Sequence, residues 1–282
     1  MSIAQFRRVY HQMIYQRLLC GHEPNATSAV AESDEPISDT IVSALVERLI
    51  SVPNRERPTG HAADCLFTEL TLVFLQDTLA LLKHIRTCKW QISTNGDLLF
   101  DQYEYVTKLQ RLLYAEPELR AALGGDYLIT PDITIGRYPA TDAEINQDVI
   151  VVGDAASVCQ YSPLRATNRP ASSLILHATI SCKWTMRSDR AQNIRTEGLN
   201  LIRNRKGHLP HIAAATAEPL PSRLASLALG TGDLDCVYHF ALPELQQAVT
   251  TVGNSDQLEM LTAMIEGRRL RDISDLPLDL AV

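Results

Sequence analysis

Two short segments of the chain carry side chains of complementary chemistry. Pro131-Asp132 stands at the end of one predicted strand, and Ser181-Cys182-Lys183 lies on a later one. Because side chains two apart on a strand share a face, Ser181 and Lys183 project together while Cys182 points away. If the two strands are neighbours, Asp132 and Lys183 converge. The carboxylate could then fix a divalent ion, and the lysine could orient or help deprotonate an attacking water and offset phosphate charge, which is half of a nuclease site.

The second carboxylate that such a site needs is missing from its usual place. The common nuclease pattern, PD followed by (D/E)xK, has an acid where this chain has Ser181, and serine is a poor ligand for a hard cation. Glu197, on the helix that follows the Lys183 strand, could reach back toward Asp132. Glu69 lies in an apolar stretch of a long N-terminal helix, where an unpaired carboxylate would be costly and a metal would provide a partner. The alternative for each acid is an ordinary salt bridge.

A second group of candidate residues is the tetrapeptide Arg187-Ser188-Asp189-Arg190, placed where the same helix begins. Arginine can pair bidentately with O6 and N7 of guanine, and aspartate can accept a hydrogen bond from the N4 amine of cytosine. These side chains would suit adjacent G·C and C·G pairs in a major groove. The alternative is a helix capped by Ser188 or Asp189, with two solvated arginines beside the cap.

The charge of the chain is distributed unevenly. Its formal net charge of −7 argues against a nucleic-acid partner, since DNA affinity comes mainly from neutralised phosphates. Between Lys183 and Lys206, however, seven basic residues stand against two acidic ones, a local balance of +5 that leaves −12 for the remainder. This pattern is compatible with a DNA cleft on an acidic body, although a solvated helix face would look much the same.

Hydrophobic periodicity and turn signals indicate the elements that position these residues. Helices are predicted at 3–19, 38–50, 62–85, 101–123, 190–205, 221–229, 242–252 and 256–265. Strands are predicted at 127–135, 149–152, 174–184, 211–216 and 236–240, with a hairpin over 90–100 around Asn95-Gly96. The order strand, helix, strand over 174–216 predicts a βαβ crossover and a partly parallel sheet. We expect one α/β domain over 1–282, with a helical and loop subregion at 1–60 and a catalytic and recognition core at 61–282.

Composition excludes several other classes of protein. The longest apolar stretch, 70–82, is interrupted by Gln76 and Asp77 and is too short to span a bilayer. The N-terminus does not enter an apolar segment typical of a secretory signal. Six cysteines without a CxxC pair suit reduced thiols better than a disulfide framework or a zinc site. These features predict a cytoplasmic protein that does not bind membranes.

The segments GDYLITPDITIGR, ISCKWTMRSDRAQNIRTEGLNLIRNRKGHLPHI, TAEPLPSR, LGTGDLDCVYHFAL and RLRDISDLPLDLAV resemble the CCGG-core family of type II restriction endonucleases, in the PD-(D/E)xK superfamily. The resemblance runs from about residue 54 to the end, is dense after residue 125, and is weak and gapped over the first 50 residues. It implies a restriction-endonuclease-like fold, in which helices flank a central mixed β-sheet. It also implies Mg²⁺-dependent hydrolysis of phosphodiester bonds in double-stranded DNA.

The resemblance assigns catalytic roles residue by residue. It gives metal binding to the side chain of Asp132 and to the main-chain carbonyl of Cys182, and it makes Lys183 the catalytic lysine. Glu197 resembles the family's displaced acid, which takes over the position that Ser181 leaves vacant. Glu69 resembles the additional metal-binding acid of the N-terminal helix.

The resemblance also implies how the DNA is read. Arg187, Asp189 and Arg190 are similar to the residues that read the CCGG core, and Arg223 and Asp34 to residues that contact the outer base pair. The family acts as a homotetramer that engages two sites and leaves 5′ CCGG overhangs. We expect cleavage at GCCGGC and a cognate DNA methyltransferase in the same system.

This chain departs from the family pattern at positions thought to help read the outer pair. Pro36 stands where the family has a serine, and near His61 the family has a glutamine. Proline offers neither a side-chain hydrogen bond nor a backbone donor. Two alternatives stay open from the sequence: a repair or junction-resolving nuclease on the same fold, and a non-catalytic DNA-binding regulator using the same basic helix.

Overall fold

The structure, a computed structural model, describes residues 1–19, 36–46, 60–85, 88–94, 100–118, 121, 131–153, 158–166, 173–230 and 232–282. Its helices are α1 (Ile3–Ile14, continued by a π-helical turn Tyr15–Leu19), α2 (Pro36–Val46), α3 (His61–Leu81), α4 (Glu104–Ala115, after a 3-10 turn Asp101–Tyr103), α5 (Asp142–Ile145), α6 (Ser188–Asn204), α7 (Pro221–Ala228), α8 (Leu242–Val252), α9 (Ser255–Glu266) and α10 (Leu276–Asp279). Its strands are β1 (Trp90–Ser93), β2 (Ile133–Arg137), β3 (Ile175–Lys183), β4 (His211–Thr216), β5 (Cys236–His239) and β6 (Leu270–Asp272).

One six-stranded sheet with the order β1-β2-β3-β4-β5-β6 organises the chain. The pairs β1·β2 and β2·β3 are antiparallel, and the pairs from β3 to β6 are parallel. Helix α6 connects β3 to the parallel strand β4, as the predicted βαβ crossover requires. The prediction of an α/β fold with a mixed sheet flanked by helices is therefore confirmed.

Strand β3 is the centre of this arrangement, and its residues from Leu176 to Cys182 are all buried. A strand covered on both faces reads as a nearly continuous buried run, unlike a strand with one solvated face. Helix α3 packs against it: the ring of Phe67 meets the ring of Trp184 edge-on at 5.5 Å. Burial raises the pKa of the Cys182 thiol, which faces Thr68 on the same helix. The position of α3 is thus fixed relative to the end of β3.

The N-terminal helix α1 is fastened to the C-terminal part of the sheet. The guanidinium of Arg7 donates paired hydrogen bonds to Glu244 at 2.6 and 2.8 Å and to Asp272 at 2.7 and 2.8 Å. The hydroxyl of Tyr10 lies 2.8 Å from that of Thr71 on α3. The apolar residues of α1 and α2 belong to the same hydrophobic core as the sheet.

One predicted β element is only partly described, and another differs in the structure. Residues 90–93 pair with β2, and Phe100 bridges Leu174; the turn and the second arm of the predicted hairpin, residues 95–99, lie outside the described residues. Residues 149–152 form an exposed loop instead of a strand. The side chain of Asn146 forms hydrogen bonds with the backbone of Val151 and Val152, so a side chain and not a neighbouring strand holds this loop.

Some element boundaries also moved. Helix α4 ends at Ala115 because Glu116 precedes Pro117, and a residue before proline is pushed out of helical conformation. Strand β6 was not predicted, since three residues give too short a pattern.

None of the helices within the described ranges is long and apolar enough to span a membrane. The described cysteines are free thiols.

Candidate active site and DNA-reading surface

The sheet brings Asp132 and Lys183 into contact. Asp132 directly precedes β2, Lys183 is the last residue of β3, and the antiparallel register pairs Ile133 with Ile180. Oδ2 of Asp132 accepts a hydrogen bond from Lys183 Nζ at 2.8 Å and another from the Cys182 N–H at 2.7 Å. Both groups are half-buried, so solvent reaches the pair from one side. The convergence expected from neighbouring strands is present.

Glu197 reaches the position that Ser181 occupies. It lies on α6, beyond the end of β3, and its Oε2 accepts a hydrogen bond from Ser181 Oγ at 2.8 Å. Burial raises the pKa of Glu197, the hydroxyl of Ser181 works against this rise, and the charge of Asp132 adds to it. A carboxylate from the helix therefore stands beside the serine where the common nuclease pattern has an acid on the strand.

The charge of Lys183 is set by the acids around it. Burial alone would lower the pKa of its ammonium group, but Asp132 outweighs burial, with further contributions from Glu197 and Asp64, and the pKa is raised. Lys183 is accordingly protonated at neutral pH. An ammonium group fixed at this point can neutralise phosphate charge and orient a water molecule.

The two acids of α3 occupy different environments. The side chain of Glu69 is 65% exposed, with Oε2 3.8 Å from the exposed Arg17, and it is not part of the cluster at the end of β3. Asp64, whose side chain is 13% exposed, is part of it: Oδ1 accepts hydrogen bonds from the Trp184 N–H at 2.9 Å and from Arg190 Nη1 at 3.2 Å. The structure thus supplies an acid from α3, but from a residue that the sequence analysis did not single out.

Helix phase explains why Asp64 and not Glu69 faces the site. Residues three, four and seven positions apart share a helix face. Asp64 shares its face with the buried residues Phe67, Thr68 and Thr71, whereas Glu69 is aligned with the exposed residues at positions 65 and 76. The apolar residues around Glu69 in the sequence therefore lie on a different side of the helix. The phase of the buried positions was the signal that could have found Asp64.

The donors at this site fit a hard divalent cation. Asp132 and Glu197 provide carboxylate oxygens, and the N–H of Cys182 points at Asp132. The N–H and C=O of one strand residue point toward the same neighbour, so the Cys182 carbonyl faces this gap as well. Within the described residues no three His, Cys, Asp or Glu side chains are grouped closely enough to hold a metal by themselves. Mg²⁺ is commonly bound by one or two carboxylates together with waters and substrate phosphates, which suits this donor set.

The three reading candidates differ in how far their side chains are exposed to solvent. Arg187 is the N-cap residue of α6 and makes no side-chain cap, and neither Ser188 nor Asp189 takes the capping role proposed as the alternative. The side chains of Arg187 and Asp189 are 49% and 68% exposed, with Nε and Oδ1 3.8 Å apart. One cationic fork and one carboxylate thus project to solvent at the start of the helix.

Arg190 is held inside by one end of its guanidinium. Its Nη1 donates to Oδ1 of Asp64 at 3.2 Å, and to the carbonyl and hydroxyl of Thr185 at 3.1 Å each. Asp64 also holds the Trp184 N–H, one residue after the end of β3. A chain of hydrogen bonds therefore joins the start of α6 to the end of β3, where Asp132 and Lys183 meet.

Comparison with known proteins decides among the remaining alternatives. The family model described as NgoMIV restriction enzyme matches residues 10–282. The chain belongs to the NgoMIV restriction enzyme family. The type II restriction enzyme NgoMIV of Neisseria gonorrhoeae is 43% identical to it over 284 residues, covering 99% of this chain and 98% of the relative.

Membership of the NgoMIV family settles the class of activity. The chain is a type II restriction enzyme, a site-specific deoxyribonuclease whose substrate is DNA, and its class typically uses a divalent metal. The prediction of a restriction endonuclease is confirmed over a non-catalytic regulator.

In this NgoMIV-family enzyme, part of the basic stretch from Lys183 to Lys206 serves the fold. Nη1 of Arg195 lies 2.5 Å from Asp233, and its Nη2 donates to three backbone carbonyls at and just beyond the C-terminal end of α7. A side chain at Gly198 would collide with the Asp233 carbonyl, so α6 lies against the backbone at Asp233. Later in the stretch, Lys206 Nζ lies 4.3 Å from the ring centre of Tyr105 and its side chain is exposed.

The outer-pair candidates are only partly described. Arg223 lies in the first turn of α7, with Nη1 4.0 Å from Oε2 of the fully buried Glu218. Asp34 lies outside the described residues. Pro36 begins α2 and His61 begins α3, where its side chain is exposed.

Proposed function

We propose that the enzyme cuts one phosphodiester bond in each strand of duplex DNA at a palindromic CCGG-core site, GCCGGC, leaving 5′ CCGG overhangs and using Mg²⁺. The observation that carries the proposal is the adjacency of two sets of residues on one β-strand and the helix after it. Asp132 contacts Lys183, Glu197 contacts Ser181 on the same strand, and the exposed side chains of Arg187 and Asp189 follow within six residues of the end of β3.

The catalytic roles follow from the donors and charges of the cluster. Asp132, Glu197 and the Cys182 carbonyl would hold the divalent ion, for which Oδ1 of Asp132 is available, since both of that residue's hydrogen bonds in the described structure fall on Oδ2. Bound there, the ion would polarise the scissile phosphate and lower the pKa of a ligated water. Lys183, charged and held by Asp132, orients the attacking water and offsets the growing charge on phosphate. Ser181 keeps Glu197 in place through its hydroxyl.

The base-reading roles follow from the position and exposure of these side chains. Arg187 and Asp189 are exposed at the start of α6 and can reach base edges in the major groove. Arg190 uses only Nη1 in its internal hydrogen bonds, and an arginine has five N–H donors, so Nε and Nη2 can pair with guanine. Arg223 would read the outer guanine, and Asp34 the N4 amine of the paired cytosine.

We further propose that the enzyme is a homotetramer that engages two sites. Support comes from two described stretches, 149–151 and 158–161, which expose large apolar side chains: Val149, Ile150, Val151, Val158 and Tyr161. Asn146 holds the backbone of Val151 and Val152 by hydrogen bonds, and Arg165 forms a bidentate ion pair with Asp142 at 2.7 Å. Large apolar side chains exposed in this number are typical of a surface that contacts another protein. A methyltransferase of the same specificity would protect the host's own sites.

The proposal is tested by incubating the purified enzyme with plasmids that carry each symmetric flank around CCGG. We expect Mg²⁺-dependent cutting at GCCGGC, cut ends with a four-base 5′ overhang on sequencing, and faster cutting of plasmids with two sites, because tethering raises the local concentration of the second site. An apolar-to-charged change, Ile150→Asp, should reduce the mass measured by light scattering. Cutting at another core sequence would refute the assigned readers, and indifference to site number would refute the tetramer.

A further inference from the structure

Glu218 is a fully buried acid with no role in the catalytic cluster. It lies two residues beyond β4, and its side chain has no exposed surface. Its Oε2 accepts the Met186 N–H at 2.7 Å, and its Oε1 accepts the Leu220 N–H at 3.1 Å. A carboxylate withdrawn from water is costly unless hydrogen bonds and an opposite charge compensate for the lost hydration. Its partners therefore show what the residue is retained to hold.

The opposite charge that faces Glu218 is Arg223. Nη1 of Arg223 lies 4.0 Å from Oε2, and this nitrogen is buried and donates no hydrogen bond to any group in the described part of the chain. Helix α7, which carries Arg223, has Leu220 as its N-cap residue. Glu218 thus fixes the start of this helix through the Leu220 N–H and attracts the Arg223 guanidinium by charge.

The same carboxylate oxygen also anchors the core-reading segment. Met186, whose N–H it accepts, immediately precedes Arg187, the first residue of the predicted base-reading tetrapeptide. We infer that Glu218 is a positioning residue that holds the core readers and the outer-pair reader in one register, so that reading of the outer base pair depends on this carboxylate acting through Arg223. The inference rests on the proposed function, in which Arg187 reads the core and Arg223 the outer pair.

The test is a double-substitution cycle with Glu218→Gln and Arg223→Ala. The glutamine keeps the size of the side chain but removes its charge. Its amide NH2 group also faces one of the two backbone N–H groups that now donate hydrogen bonds to the carboxylate. Cleavage efficiency is measured on GCCGGC, on the other symmetric flanks, and on duplexes with one changed core base. We expect Glu218→Gln to reduce discrimination at the outer pair by about tenfold. In the Arg223→Ala background, Glu218→Gln should reduce discrimination at the outer pair no further, because both substitutions remove the same interaction between Glu218 and Arg223.

A purely structural role for Glu218 predicts a different result. It would lower cleavage of every duplex in the same proportion and would add to the effect of Arg223→Ala, and either result would overturn the inference. Thermal unfolding of each variant reports folding separately. Asp233→Asn is the matched control, a buried acid paired with an arginine, Arg195, outside the reading set, and it should leave outer-pair discrimination unchanged.

A second variant covers the case in which Glu218→Gln does not fold. Glu218→Asp keeps the negative charge, but its shorter side chain moves that charge away from the Met186 N–H and from Arg223. A folded Glu218→Asp enzyme with wild-type discrimination at the outer pair would overturn the inference. The wild-type enzyme is assayed first. If it does not discriminate at the outer pair, the proposed specificity fails and the inference falls with it, whereas a discriminating wild type with an unaffected Glu218→Gln variant refutes the positioning role alone.

Discussion

Alanine substitution of the two acids on α3 should have opposite consequences. Asp64→Ala removes the acceptor of a charged hydrogen bond from Arg190 and leaves the buried Trp184 N–H without its partner. A hydrogen bond to a charged group contributes about 1.5–3 kcal/mol, and an unsatisfied buried N–H costs about 1–3 kcal/mol. Arg190 keeps its two hydrogen bonds to Thr185, so the loss of its hydrogen bond to Asp64 is taken at the lower end of the range, about 1.5 kcal/mol. Together with the unsatisfied Trp184 N–H, the expected loss of stability is about 3 kcal/mol.

The effect of Asp64→Ala on cleavage follows from the same contacts. Arg190 loses the carboxylate that orients it. Under the proposed function, in which Arg190 reads a guanine, its misplacement costs about 1–3 kcal/mol of discrimination, so cleavage of the cognate site should slow by about tenfold or more. Glu69→Ala is the control on the same helix. It removes an exposed pair at 3.8 Å, which should change stability by less than about 0.5 kcal/mol and leave cleavage intact.

The assay combines urea denaturation with single-turnover cleavage under saturating Mg²⁺. Asp64→Asn separates charge from shape, because the amide keeps an oxygen that can accept the Trp184 N–H but attracts Arg190 less strongly. Stability should therefore recover more than cleavage does. If Glu69→Ala abolishes cleavage while Asp64→Ala cuts at the wild-type rate, the assignment from helix phase is refuted.

Three further predictions concern the cluster and the α1 anchor. Asp132→Ala or Lys183→Ala should abolish cleavage while specific binding, followed by gel shift in Ca²⁺, stays largely intact; cleavage near the wild-type rate would remove these residues from the chemistry. Glu197→Ala should be severely impaired, whereas Ser181→Ala should stay active with the acid limb of its pH–rate profile moved to higher pH, since losing the hydroxyl raises the Glu197 pKa further. Arg7→Met should cost about 3 kcal/mol in urea denaturation. Burial alone would raise the pKa values of Glu244 and Asp272, but the charge and hydrogen bonds of Arg7 lower both. The stability that Arg7 contributes through these acids is therefore present above pH about 4 and is lost as the pH falls through their folded-state pKa values. If Arg7→Met lowers the free energy of unfolding equally at pH 3 and pH 7, this account is contradicted.

The sequence predicted most reliably what local periodicity encodes. The unit from β3 through α6 to β4 follows from two apolar strand patterns flanking an amphipathic helix, and the contact of Asp132 with Lys183 follows from strand adjacency. The approach of Glu197 to the Ser181 position could also be predicted from the sequence, because both residues lie in this same unit.

What the sequence did not predict depends on relations between distant segments. The pairing of β1 with β2 joins residues more than 40 positions apart, and no local pattern in the sequence indicates such a partner. The choice between Asp64 and Glu69 needs the rotation of α3 about its axis, which its packing on β3 sets. The internal role of Arg195 requires the loop that ends at Asp233, and charge counting cannot separate such a residue from one that faces DNA.

The displaced acid has a consequence for how cutting is tied to recognition. In the common (D/E)xK pattern the acid shares a rigid strand with the lysine, so both are in place whether or not DNA is read. Here Glu197 lies on α6, the helix whose first turn carries Arg187 and Asp189. A helix moves as a rigid body, so a small tilt of α6 that improves contact with bases also moves the Glu197 carboxylate relative to Asp132. Under the proposed function, a cognate site that seats the reading residues correctly would therefore also complete the donor set for the metal, and a mismatched site would leave it incomplete. Specificity in the rate of cleavage would then exceed specificity in binding.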